Sequence, residues 1–112
     1  MKKIEAIIRP SKLEDLKDAL RAINIEGISI TQIMGCGKQM GWKEYYRGTE
    51  ISMNVLPKIR IDIVVPDERV DSIVSTIIEA AHTGEVGDGK IFIYDVVNCI
   101  RIRTRESGEQ AL

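Results

Sequence analysis

The run Ile59-Arg60-Ile61-Asp62-Ile63-Val64-Val65-Pro66 sets isoleucines at every second position, with a cation and an anion between them. Successive side chains of a strand point to opposite faces, so this pattern predicts a half-buried strand that Pro66 stops. Asp67 then stands where a helix N-cap is expected. Val70, Ile73, Val74, Ile77, Ile78 and Ala81 recur at helical spacing behind it. Upstream, Gly35, Gly37, Gly41 and Gly48 interrupt a polar segment from about 37 to 55. That is long for a compact domain, where connections are commonly about 4–6 residues, and long loops tend to carry function.

Working outward again, Ile28, Ile30 and Ile33 with Thr31 read as a strand ahead of that loop. Leu13, Leu16, Leu20 and Ile23 form a helical stripe, and Ser11-Lys12-Leu13-Glu14 has the form of a capping box at its start. Lys2 to Ile8 alternates loosely as a first strand closed by Pro10. At the other end, a glycine-rich loop spans about 82–90, a last strand is expected from Ile91 to about Arg103, and the tail from 104 to 112 is polar. The order β-α-β-(long loop)-β-α-β predicts an α+β, ferredoxin-like domain over residues 1–112. Its antiparallel sheet would carry two helices on one face and the long loop between strands 2 and 3.

The 112 residues carry a net charge of −1, which argues against a nucleic-acid binder held by counterion release. Met1-Lys2-Lys3-Ile4 lacks the apolar run of a secretion signal, and the longest apolar runs are strand-sized, so a cytosolic protein is expected. Cys36 and Cys99 stand alone, without a second ligand at metal spacing, and read as reduced thiols.

The chemistry concentrates in cations. Lys90 closes the loop Thr83-Gly84-Glu85-Val86-Gly87-Asp88-Gly89-Lys90, and Arg101 and Arg103 sit two apart, on one face if the last strand reaches them. Glycine frees backbone N–H groups to turn towards an anion, and Arg and Lys neutralise it. A polyphosphate site and a solvated hairpin end both fit that spacing. Lys38 and Lys58 bracket the long loop, where charge alone makes them solubilising ends. Trp42, Tyr45 and Tyr46 within it suit either a partner surface or side chains folded back to pin the loop. His82 reads as a helix-end cation, with no constellation around it for nucleophilic or acid–base catalysis.

Tyr46-Arg47-Gly48, Thr83-Gly84-x-x-Gly87-Asp88-Gly89-Lys90-Ile91-Phe92, Arg101-x-Arg103-Thr104, the opening Met1 to Pro10 and the closing Glu109-Gln110-Ala111-Leu112 resemble the signature segments of PII nitrogen-regulatory signalling proteins. The likeness covers essentially the whole chain. It implies a cytoplasmic homotrimer, not an enzyme, with ATP or ADP bound in clefts between neighbours. Gly87, Gly89, Lys90, Arg101 and Arg103 would hold the phosphates, helped by Lys38 and Asp88. Ile7, Ser29, Gly35, Gly37, Asp62 and Val64 would surround adenosine. Gln39, Lys58 and Gly87 would serve 2-oxoglutarate, through an Mg²⁺ that Gln39 and ATP share. Mg²⁺ and a lysine offset the repulsion between a dicarboxylate and a triphosphate.

The long loop would be the effector surface, with Trp42, Tyr45, Tyr46, Arg47, Thr49 and Ile51 as partner contacts. Its targets would be an ammonium transporter or an enzyme or regulator of nitrogen assimilation, so membrane contact would be only indirect. Ile51 stands where many relatives carry a modified tyrosine, and it has no nucleophilic oxygen. Signalling by ligand occupancy alone follows. Competing readings are a ferredoxin-like phosphotransferase using His82, and a trimeric metal-binding domain using Cys36, Cys99 and His82.

Overall fold

A computed structural model describes residues 1–36 and 55–112 in full and the backbone of 42–46 and 49–53, and among them are six strands and two α-helices. Strand β1 (Lys2–Ile8) buries Ile4, Ala6 and Ile8 and turns Lys3, Glu5 and Ile7 the other way. Helix α1 (Leu13–Ala22) buries Leu16 and Leu20. Strand β2 (Ser29–Cys36) follows, then two short strands, β3 (Trp42–Tyr46) and β4 (Thr49–Met53). Strand β5 (Val55–Val65) buries Ile59, Ile61, Ile63 and Val65, as the alternation predicts. Helix α2 (Val70–Ala81) buries Ile73, Ile77 and Ala81, and β6 (Lys90–Asp95) ends the sheet.

The sheet order is β2-β5-β1-β6, with every neighbouring pair antiparallel. This is the ferredoxin-like arrangement expected from the sequence. The two helices pack side by side over the buried isoleucines and leave the opposite sheet face uncovered. Between β2 and β5 the long insertion is present, but Trp42–Tyr46 and Thr49–Met53 pair with each other as a separate ribbon. Aromatic and β-branched residues there favour extended backbone. Among the described residues no helix is long and apolar enough to cross a membrane.

Three local expectations fail, each for a physical reason. Ser11 and Glu14 form no capping box: Pro10–Lys12 makes a 3₁₀ turn, α1 begins at Leu13 without a side-chain cap, and Glu14 instead pairs with Lys17 at 3.3 Å. A cap contributes about 1 kcal/mol, against ~1.5–3 kcal/mol for each buried leucine, so the apolar stripe suffices to hold the helix. Asp67 likewise lies inside a 3₁₀ turn, and its carboxylate takes the Met1 amino nitrogen at 3.0 Å. That bond holds the Asp67 carboxyl below the usual range. Finally, β6 stops at Asp95 and not near Arg103, because Lys2, its partner in that pair, is the first residue of β1. One further bond, from Val96 N–H to the Met1 carbonyl at 3.1 Å, closes the edge.

A candidate nucleotide site at the glycine loop

Helix α2 ends when His82 turns extended, its N–H still bonded to the Ile78 carbonyl at 2.9 Å. The chain then winds around one carboxylate. Asp88 accepts from the N–H groups of Thr83 at 2.8 Å and Gly84 at 2.9 Å, from the Thr83 hydroxyl, and from Arg9 Nε at 3.3 Å. Those bonds, the Thr83 hydroxyl's first, hold its carboxyl far below the usual carboxylate range. Arg9 also donates to the Val86 carbonyl at 2.8 Å, and Lys58 Nζ to the Gly87 carbonyl at 2.7 Å. Burial, and then the neighbouring Arg9 cation, lower the proton affinity of Lys58.

The winding needs glycine at its exit. Gly89 has φ +106°, and a β-carbon there would lie 1.7 Å from the Ile7 carbonyl oxygen. Gly84 and Gly87 also have positive φ. Among the described residues, no hydrogen-bond acceptor takes up the N–H of Gly87 or Gly89. Unclaimed amides in a glycine turn, beside Lys90 and Lys58, have the chemistry of an anion nest. A cavity of about 340 Å³ opens between α2 and β6, lined mainly by aliphatic side chains such as Val74, Ile78 and Ile93. His82, Asp88, Gly89 and Lys90 border the same cavity, so its walls are aliphatic and its polar rim is the loop.

The lowered pKa of Asp88 gives a first prediction. Its folded-state pKa lies below the unfolded value of about 3.9, so its contribution is complete above that pH and is lost as pH falls through the lower, folded value. The amide resonances of Thr83 and Gly84 should titrate in NMR with a midpoint well under 3.9; a midpoint near 4 would contradict this arrangement of bonds.

The uncovered sheet face carries the other expected residues along its length. Lys58 reaches Gly87, while Ile7 and Lys90 share the Arg60 row, midway between the Gly35 row and the Val64 row, four residues or ~13 Å from each. Ile7 pairs with Lys90, and a β-carbon on Gly35 would meet Lys58 Cγ at 3.0 Å. Val64 pairs with Lys3 at the other end of the face, and Asp62 pairs with both Glu5 and Ser29. Gly35 is opposite Leu56, eight residues before Val64, a separation of ~27 Å at ~3.3–3.4 Å per residue. Near Asp62 lie Arg60 Nε at 3.2 Å and Lys3 Nζ at 3.8 Å, while its buried Oδ1 has no hydrogen-bond partner.

Arg101 and Arg103 do not join the loop within one chain. β6 runs away from it, from Lys90 to Asp95, which is ~17 Å, and both arginines lie beyond that end. Past Asp95 the only pairing among the described residues is an isolated bridge of Ile100 with Ser107. The period-two reading that put both guanidiniums on one strand face is therefore corrected. The His82 side chain is exposed, and among the described residues it has no hydrogen-bond partner to orient it. Arg9 and Thr83, which hold the loop through Asp88, were not singled out as site residues; only their place in the family-like segments marked them.

The sequence profile described as Nitrogen regulatory protein P-II matches residues 1–106. Nitrogen regulatory protein P-II 1 of Escherichia coli (strain K12) is 52% identical over 112 residues, covering all of both chains. The chain belongs to the P-II nitrogen regulatory protein family. Nitrogen regulatory protein P-II of Haemophilus influenzae is also 52% identical over 112 residues, and that of Pasteurella multocida 51%, each across the full length of both chains. This P-II chain is thus a nitrogen-regulation signalling protein. Within it, Gly37, Lys38, Gln39 and Arg47, and the side chains of Trp42, Tyr45, Tyr46, Thr49 and Ile51, lie outside the described residues.

Proposed function

We propose that this P-II chain senses adenine nucleotide together with 2-oxoglutarate and reports the result through the segment between β2 and β5. The observation that carries the reading is the Asp88-centred loop, which leaves the Gly87 and Gly89 amides without an acceptor among the described residues, beside Lys58 and Lys90. Those amides and the Lys90 ammonium would hold the phosphates of ATP or ADP, with Lys38 from the segment above. Ile7, Gly35 and Gly37 would line one side of adenosine. Lys58 lies beside the Gly87 carbonyl, where a dicarboxylate could be met by Lys58 and Gln39. The bound Mg²⁺ would supply charge neutralisation between triphosphate and dicarboxylate.

The remaining residues favour a site shared between copies. Lys90 stands on the Arg60 row, ~13 Å from Val64, and Arg101 and Arg103 follow in the chain after Asp95, which ends β6 ~17 Å from Lys90. Phosphates held at Lys90 are thus remote from the end of β6 that leads on to the arginines. A neighbouring copy, offering Ser29, Asp62, Val64, Arg101 and Arg103, would complete each site, and a cyclic homotrimer repeats that heterologous contact three times.

Ligands act by population. A 2-oxoglutarate that engages Gln39 and Lys58 in only one arrangement of the segment shifts its equilibrium towards that arrangement. The contacts of Trp42, Tyr45, Tyr46, Arg47, Thr49 and Ile51 with a target then change. The targets in view are an ammonium transporter or an enzyme or regulator of nitrogen assimilation, approached from the cytoplasm. With isoleucine at 51, occupancy carries the signal without nucleotidylation there. The protein acts as a regulator and not a phosphotransferase, since His82 has no orienting partner among the described residues.

Titration of 2-oxoglutarate by calorimetry, with and without Mg-ATP, tests the coupling. Binding at least about tenfold tighter with Mg-ATP is expected. Equal binding in both conditions, or none, would remove 2-oxoglutarate sensing from the account.

A further inference from the structure

Arg101 is occupied by its own chain. Its Nη1 donates to Glu106 Oε1 at 3.3 Å, and its Nη2 to the main-chain oxygens of Gln110 at 3.4 Å and Leu112 at 3.0 Å. The backbone closes around this contact. Arg101 N–H bonds the Glu106 carbonyl at 2.9 Å, Arg105 N–H the Arg101 carbonyl at 2.8 Å, and Gly108 N–H the Cys99 carbonyl at 3.0 Å. Ala111 is buried as the 3₁₀ turn Glu109–Ala111 folds back. Arg103, two residues on, lies within the Arg101–Arg105 turn with its side chain exposed.

We infer that residues 101–112 form a latch that withholds Arg101 from nucleotide. The inference rests on the proposed phosphate role of Arg101. A guanidinium takes phosphate through its planar fork, and here both terminal nitrogens of that fork already have acceptors. Three of the five N–H donors are thus engaged, and a phosphate taken on the Nη1–Nη2 edge displaces Glu106 and the two main-chain oxygens. The latch is poised to open. Arg101 and Glu106 are more than a third exposed, so their ion pair is weak. Arg105 holds φ +64°, a left-handed conformation that disfavours a side chain of its length. Gly108 holds φ +80° and ψ −160°, a region reserved for glycine. The site is thus competent for only part of the time, and its apparent affinity falls by that fraction. A nucleotide that opens the latch also releases Glu106 and residues 109–112 from the turn, so occupancy is reported at this end as well as at the segment between β2 and β5.

Two variants open the latch without touching the proposed phosphate ligands. Glu106→Gln removes the anion. Gly108→Ala strains the turn, although a β-carbon there meets nothing within 4 Å. Calorimetric titration of Mg-ATP should give binding about two- to fivefold tighter in each variant, the range of one exposed ion pair, with thermal unfolding unchanged in Glu106→Gln and lowered by the backbone strain in Gly108→Ala. In the parent, Mg-ATP should also speed hydrogen exchange at the Gly108 amide. Unchanged or weaker affinity in both variants overturns the latch. Arg101→Ala separates the two layers: an affinity loss of about tenfold or more keeps the phosphate role whatever the latch variants do, and no loss removes that role and the latch with it.

Discussion

Replacing Gly89 by alanine should destabilise this chain by roughly 2–4 kcal/mol and weaken nucleotide binding at least about tenfold. The added β-carbon would lie 1.7 Å from the Ile7 carbonyl oxygen and 2.7 Å from its carbon. Ile7 cannot yield, because β1 is paired on both sides, with Arg60 of β5 and Lys90 of β6. The loop must move instead, and the first pair of β6 is lost with it. At φ +106° the alanine backbone is also strained. Gly84 supplies the control: it too has positive φ, but the nearest atom to a β-carbon is His82 Cε1 at 3.9 Å. Gly84→Ala should cost only the left-handed strain, about 1–2 kcal/mol. Urea unfolding of both variants checks the difference. Equal losses would mean that contact with Ile7 is not what requires glycine at 89.

The same contrast, backbone contact against side-chain pattern, separates what the sequence made legible from what it did not. Ile59, Ile61 and Ile63 alternated cleanly because one sheet face is covered by helices and the other is not. Leu16, Leu20, Ile73 and Ile77 declared the covering faces by their spacing. Those periodicities follow from burial, and burial decides most of the fold. The local ends follow from pairing, which no periodicity encodes. Ile100-Arg101-Ile102-Arg103 alternates like a strand, yet β1 has no residue left to pair with beyond Lys2, so that alternation builds a turn. Ser11 and Asp67 have the right side chains for caps, but 3₁₀ turns had already begun at Pro10 and at Asp67 itself.

The candidate site divides in the same way. Glycine spacing and Lys90 pointed to the loop, and the family likeness supplied the list of residues. Neither revealed that Asp88, an anion expected to lie near phosphate, serves first to collect Thr83, Gly84 and Arg9. Arg9 follows a strand and precedes a proline, a position with no pattern to mark it. Nor could the alternation show that β6 ends at Asp95, well short of Arg103.

That separation makes the sharing of each nucleotide site between copies the central claim. Lys90→Ala removes a cation at the loop end, and Arg103→Ala removes one at the far end. Each alone should lose about 10- to 100-fold in ATP affinity, the range of a charge-assisted contact. The two variants, co-expressed in equal amounts so that copies assemble at random, give the most direct measurement. A site made from the loop end of one copy and the far end of its neighbour is intact when the first carries only Arg103→Ala and the second only Lys90→Ala. Random assembly then restores about a quarter of the sites to parental affinity, visible as a tight phase in calorimetry. Recovery of that fraction is the predicted result. If every site in the mixture stays weak while each variant alone is weak, both cations serve within one chain and the shared site is wrong.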